Sequence, residues 1–236
     1  MVMKQSQSYE KALYVNRYKE MRSVIPKLLE IPYKDWQTKA PLLLEEPYLK
    51  KLIPNLYRSV GYPVAREEVN NFLGQKAASD MWEEVVNRWV QTNAGKKIQV
   101  ITESYRDWFR GYLQKTLDPK LSIEEMVSSL YKDVKDNFSN LMEWQVRRII
   151  QTESLTSMSV AASESVKELN IPFIKTWVIS GNNTRPAHVV MDGVVVEDAD
   201  MFFVDGEEME FPRDGEHGAT AGNIINCACS VIREPK

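Results

Sequence analysis

Apolar side chains recur at helical spacing through the first two thirds of the chain and give way to short alternating runs after Pro172. Leu13, Tyr14, Tyr18, Met21, Ile25, Leu28 and Leu29 predict a helix over residues 8–31, with Pro26 kinking or ending it because proline lacks the backbone donor and crowds the preceding turn. Ile31-Pro32 and Ala40-Pro41 mark breaks. Between Leu42 and Val60 the pattern predicts a short helix before Pro47 and a better one after it, closed by Gly61-Tyr62-Pro63, and residues 64–76 read as a further short helix. Ser79-Asp80 offers a cap for a helix reaching Val90 and carrying Trp82, Val85, Val86 and Trp89, which Asn93-Ala94-Gly95 is expected to break. Ile98, Ile101, Tyr105, Trp108, Phe109, Tyr112 and Leu113 then define a long amphipathic helix up to Leu117, ended by Asp118-Pro119. The Trp and Tyr positions over residues 82–112 read first as core.

Ser122-x-x-Glu125 is a capping box, and the helix it opens should bury Met126, Val127, Leu130, Val134 and Phe138. Ser139-Asn140 predicts a start for a last helix, 141–169, with Trp144, Ile149, Thr152 and Val160. Three capped helices over residues 96–169 form one antiparallel layer in this reading. After Pro172 the period changes to two, with strands expected at 173–179, 194–197, 201–204, 208–211 and 224–232, and turns at Asp205-Gly206 and Arg213-Asp214-Gly215. The glycine-rich stretch from Asp214 to Gly222 reads as a mobile surface loop. Helices followed by a small, mostly antiparallel sheet make the class α+β. The segments are an N-terminal helical extension (1–78), a helical layer (79–170) and a β-rich module (171–236).

At 236 residues, 43% apolar and 27% charged, the chain has the composition of an ordinary globular protein. No apolar run approaches the roughly 18 residues of a membrane span. The N-terminal stretch lacks the apolar core of a signal peptide, so the expectation is assembly in the cytoplasm. Charge is uneven: residues 1–150 hold 24 Lys and Arg against 19 Asp and Glu, while residues 151–236 hold 6 against 14. A basic surplus spread over so many residues reads first as a solvated helical surface, and any DNA binding it supports should be non-specific and salt-sensitive.

The densest chemistry lies between Trp177 and Cys229. Thr184 is a good cap and Pro186 a good first-turn residue for a short helix that Gly193 would stop, leaving Arg185, His188 and Asp192 near one face. Arg185 could pair with Asp192 or grip another acid such as Glu153, a fork that serves to fix a fold. The only two cysteines sit in Asn226-Cys227-Ala228-Cys229, where a strand would turn both thiols to one side. His188, Cys227 and Cys229 are ligands of the kind zinc prefers, with His217 as a fourth candidate. Two considerations oppose this: paired zinc cysteines are usually spaced further apart, and buried free cysteine is an ordinary core residue. Arg185, His188, Asp192 and the cysteines could also compose a metal-dependent or phosphodiester-cleaving hydrolase. The chain carries no P-loop, dinucleotide-binding glycine motif, His-Glu-x-x-His or Gly-x-Ser-x-Gly.

Taken in order, Gln151-Thr152-Glu153, Trp177, Arg185 with His188, Asp192-Gly193 and Asn226-Cys227-Ala228-Cys229 resemble the Mu F-like family of phage head morphogenesis (minor capsid) proteins. The family pattern is a helical Arg-Thr-Glu, then Trp, Arg-x-x-His, Asp-Gly and finally Asn-Cys-Arg-Cys. Gln151 and Ala228 stand where that pattern has arginine. The resemblance covers roughly residues 90–232. It implies a minor structural protein of a tailed-phage or prophage head, assembled in the host cytoplasm and located near the portal in the virion. Its implied partners are the portal protein and the major capsid or scaffolding proteins, with non-specific contact to double-stranded DNA and none to a membrane. It implies no enzymatic activity and requires no cofactor, so the hydrolase and a plain nucleic-acid-binding module stand as alternatives.

Overall fold

The computed structural model describes residues 2–74, 81–118, 120–181 and 184–236, with side chains from Ser6 onward. The chain is α+β: a long helical region, then a small antiparallel sheet. The helices are α1 (Val2–Lys27), α2 (Trp36–Lys39), α3 (Leu49–Leu73), α4 (Met81–Thr116), α5 (Ile123–Lys167), α6 (Pro186–Val189) and α7 (Ala221–Ile224). The strands are β1 (Phe173–Val178), β2 (Val195–Glu197), β3 (Phe202–Val204), β4 (Glu207–Met209) and β5 (Ser230–Pro235). Among the described residues no helix is long and apolar enough to cross a membrane.

Two compact units emerge, one of residues 7–53 and 93–149, the other of residues 1–6, 54–92 and 150–236. They do not follow the sequence segments 1–78, 79–170 and 171–236; the 78/79 boundary and the Ser79-Asp80 cap lie outside the described residues, as does Pro119.

In the first unit α1 buries Leu13, Met21, Val24 and Ile25 with Tyr105, Phe109 and Leu113 of α4 and Leu130, Val134 and Phe138 of α5. Pro26 occupies the last turn of α1, and a tighter 3-10 turn follows it, as a missing donor near a helix end requires. The capping box forms as expected: Ser122 N donates to Glu125 Oε2 at 2.8 Å and Glu125 N to Ser122 Oγ at 3.2 Å. All five side chains assigned to the buried face of that helix are buried, and Trp82, Tyr105 and Tyr112 are core. A fully buried ion pair also lies here: Arg17 Nε donates to Glu46 Oε1 at 2.7 Å and Arg17 Nη1 to Gln145 Oε1 at 3.0 Å, with the guanidinium 4.1 Å from the Tyr105 ring centre. Tyr48 Oη donates to the same carboxylate at 2.6 Å. With its hydrogen bonds made, such a pair fixes one packing of the helices, and breaking it would leave a charge buried alone.

Three expected helix breaks are absent. Helix α3 runs through Gly61-Tyr62-Pro63, α4 through Asn93-Ala94-Gly95, and α5 through Ser139-Asn140. Local propensity disfavours helix at these points by about 1 kcal/mol per glycine and about 3 kcal/mol for Pro63, which burial on either side outweighs. The residues 96–169 therefore contribute to two long helices rather than forming three. Gly61 has a packing role: a Cβ there would lie 3.3 Å from Ala161 Cβ, Ser157 Oγ and Val86 Cγ1, so its bare backbone lets three helical segments close up.

In the second unit β2, β1 and β5 form an antiparallel sheet in that order, and β3 and β4 form a hairpin across Asp205-Gly206, both with positive φ as a tight hairpin turn needs. Phe173, Lys175 and Trp177 of β1 point inward. The Lys175 ammonium reaches the carbonyl of Asp200 at 2.7 Å, and burial lowers its pKa. The expected strand 224–232 is corrected: β5 begins only at Ser230, and residues 221–224 are helical. Asp214–Gly222 lies largely at the surface but starts from a buried residue. The buried Asp214 carboxylate accepts from Glu210 N at 2.8 Å, Glu216 N at 2.9 Å and His217 Nδ1 at 2.5 Å, tying the segment to its own start.

Gly95 is exposed, and a Cβ there would meet no atom within 4 Å. Gly95→Ala should therefore stabilise the protein by about 0.5–1 kcal/mol in urea unfolding, whereas Gly61→Leu should destabilise it by about 1–3 kcal/mol through overpacking. A destabilising Gly95→Ala would contradict a continuous α4.

Candidate metal centre

The strand β1 fixes the floor of the site through Trp177, whose N–H donates to Val194 O and whose carbonyl accepts from Gly193 N, both at 2.9 Å. Gly193 offers that bond from a left-handed backbone at φ +76°, but it does not stop the helix, which already ends at Val189. The run from Arg185 is thereby folded back over β1 as the one-turn helix α6. Thr184 does not cap it: the hydroxyl turns back to the carbonyls of Ser180 and Gly181, and Arg185 occupies the cap position. His188 is 1% exposed and stands edge-on to Trp177, ring centres 5.7 Å apart.

A hydrogen bond to Asn223, itself held by two more, sets the orientation of His188. Nε2 lies 3.1 Å from Asn223 Oδ1, and Asn223 Nδ2 donates to Glu207 Oε2 at 2.7 Å and Val204 O at 3.3 Å. With the Asn223 amide nitrogen committed to two acceptors, its oxygen faces the ring, so Nε2 carries the proton and Nδ1 the lone pair. That lone pair points at both cysteines: Nδ1 is 3.5 Å from Cys227 Sγ and 3.6 Å from Cys229 Sγ. The expectation that both thiols face one way is met, but not by a strand. Asn226 adopts φ +58°, and the extended stretch after it lies outside the sheet.

Arg213 holds that stretch. Its Nη1 donates to the carbonyls of Cys227 and Cys229, each at 2.8 Å, and its Nη2 donates to Ser159 Oγ on α5 at 2.6 Å. It is 2% exposed, with φ +72° in its own backbone. Burial lowers its pKa, partly offset by the two cysteines. The Cys227 thiol is drawn down, first by the hydrogen bond with Cys229 and then, against its burial, by the Arg213 guanidinium. Cys229 is pushed up by the same hydrogen bond and by burial. The buried Trp177 indole N–H faces Cys229, where it favours the thiolate.

His188, Cys227 and Cys229 are thus brought together, their ligand atoms within 4.8 Å of one another, and all three are buried. His217 is not: its ring is engaged by Asp214, outside the cluster. Arg185 pairs with neither expected acid. Its Nη2 donates to the carbonyl of Ile225, Asp192 is exposed and accepts from Ile179 N at 3.0 Å, and Glu153 accepts from Tyr57 Oη at 2.6 Å. An arginine on a carbonyl closes the loop before Asn226 without needing a charged partner, and Asp192 is spent on squaring the turn after β1. Asn226 N reaches Thr152 Oγ1 on α5 at 3.4 Å, across 74 residues of sequence. A cavity of about 370 Å³ opens over the cluster, lined also by Ser180, Thr184, Arg185 and Asn226.

Sequence reasoning missed Arg213 and Asn223. Arg213-Asp214-Gly215 carries the composition of a turn, and Asn223 sits in what read as a loop running into a strand; neither has a local signal for burial. Comparison with protein-family models, curated proteins and solved structures finds no match to this chain.

Removing Arg213 leaves buried cysteine carbonyls without their donor, each costing about 1–3 kcal/mol. Arg213→Met should therefore lower unfolding free energy by about 2–4 kcal/mol, whereas Arg185→Ala, losing one half-buried bond to a carbonyl, should cost no more than about 1.5 kcal/mol. Chemical denaturation of both variants checks the order, and a larger loss for Arg185→Ala would reverse the assignment.

Proposed function

We propose that this chain is a minor structural protein of a tailed-phage or prophage head, associated with the portal during head morphogenesis. The observation that supports the reading is the convergence of the separate pieces of the Mu F-like pattern. Thr152 on α5 meets Asn226, Trp177 stands against His188, His188 faces Cys227 and Cys229, and Gly193 locks onto Trp177. Pieces scattered along the chain would share a pattern for no structural reason unless they built one unit. The two positions where the chain departs from the pattern, Gln151 and Ala228, are both exposed, so neither is needed to assemble that unit. The Arg233 guanidinium, 3.3 Å from Glu68, and the Lys167–Glu210 pair at 2.6 Å fasten the sheet to the helices around it. In this reading the β-rich part is a rigid module carried on helices, and its task is to hold a place in an assembly.

The test is co-purification. The untagged full-length protein, expressed with the portal protein of the same phage, should sediment with portal oligomers and be found in assembled heads by immunodetection. Its absence from both fractions, with folded protein remaining in the supernatant, would overturn the proposal.

A further inference from the structure

We propose that His188 Nδ1, Cys227 Sγ and Cys229 Sγ bind one zinc ion whose fourth coordination position opens into the cavity beside Arg185 and is filled by an exchangeable water. This stands on the geometry alone and goes beyond the assembly role, so either can fail without the other.

The spacing of the ligand atoms is the first argument. Zinc bonds of about 2.3 Å to sulfur and 2.0–2.1 Å to nitrogen, opened to a tetrahedral angle, put the nitrogen about 3.5–3.6 Å from each sulfur. The observed separations are 3.5 and 3.6 Å. Both separations are those that a tetrahedral ion would set, and all three ligand atoms lie within 4.8 Å of one another.

The supporting shell is the second. A metal-bound histidine needs its other ring nitrogen to donate to a fixed acceptor, which sets the tautomer and the ring plane. Asn223 is that acceptor, itself held by Glu207 and Val204 O. The Cys-x-Cys backbone is clamped by Arg213 through both cysteine carbonyls, which turns both sulfurs to the histidine without a strand.

Charge and ligand type select the ion. Two thiolates and a neutral imidazole balance a divalent cation, so the buried site is neutral once thiol protons have left to solvent. Sulfur and imidazole exclude magnesium and calcium in favour of zinc. Three protein ligands leave one position, and among the described residues no other His, Cys, Asp or Glu joins the cluster. The cavity of about 370 Å³ lies over that position and has Arg185 in its wall, so a small anion replacing the water would meet a cation. An open position of this kind separates the site from closed structural zinc centres with four protein ligands.

The experiment uses full-length protein, reduced and stripped with a chelator, then titrated with Co2+ as a spectroscopic stand-in for zinc. Expected are thiolate-to-cobalt charge transfer and tetrahedral ligand-field bands that saturate at about one equivalent, vanish on adding Zn2+, and shift when azide is added. Asn223→Ala should weaken binding by about 10–100-fold by releasing the His188 ring. His217→Ala should leave affinity unchanged. Cys227→Ser should weaken the charge-transfer band and the affinity because only the Cys229 thiolate remains, and an unchanged band overturns Cys227 as a ligand; if that variant does not fold, the titration of the unmodified protein decides alone. Absence of the charge-transfer band at one equivalent overturns the site. Bands insensitive to azide overturn the open position, and loss of affinity in His217→Ala overturns the ligand assignment.

Discussion

Arg213 is the constraint around which the C-terminal part is built. Its guanidinium is 2% exposed, and the two terminal nitrogens bond the carbonyls of Cys227 and Cys229 and the hydroxyl of Ser159, while Nε is buried without a partner. Those bonds decide three things at once. They hold residues 227–229 extended without a neighbouring strand, they turn both sulfurs inward, and they anchor the stretch to α5. Asp214, next in sequence, accepts from Glu210 N before it and from Glu216 N and His217 Nδ1 after it, joining the start of the glycine-rich segment to the end of β4.

Opposite the cysteines, His188 is positioned by a line of polar contacts running through Asn223 to Glu207. Each member is satisfied by the next, and this allows so polar a group to be buried. The outcome is an imidazole with one nitrogen committed and the other free, directed at two sulfurs. Nothing in that arrangement requires acid–base chemistry at His188: Asp192, the nearest carboxylate in sequence, bonds instead to Ile179 N. A ligand set and a structural module are compatible uses of the same geometry, because a metal closing on His188, Cys227 and Cys229 would tie α6 to the stretch before β5.

The residues of the Mu F-like pattern divide by what they touch. Trp177, His188, Cys227, Cys229 and Thr152 are buried at or beside the cluster. Gly193 serves the backbone and Asp192 the turn, while Glu153 takes the Tyr57 hydroxyl, away from the arginine it was expected to meet. Asn226 contributes through a left-handed backbone at φ +58°, a conformation that asparagine adopts more readily than most residues.

The sequence by itself determined the class and the periodicities. Helical spacing marked the core faces of α1, α4 and α5, Ser122 and Glu125 located one helix start to the residue, and the Asp205-Gly206 turn and the β1 alternation were legible because such signals are local. Helix continuity was not. Gly61, Asn93-Ala94-Gly95 and Ser139-Asn140 look like breaks one window at a time, yet burial along each helix outweighs a penalty of about 1 kcal/mol per glycine. At the site, the histidine and the two cysteines could be named from residue type, whereas their meeting point could not. That depended on a positive φ at Asn226, on Arg213 being buried rather than lying on a surface turn, and on Asn223 arriving from a segment that read as loop. Each is a long-range choice, made by which polar groups had to be satisfied once the core closed, and no local pattern of residues records it.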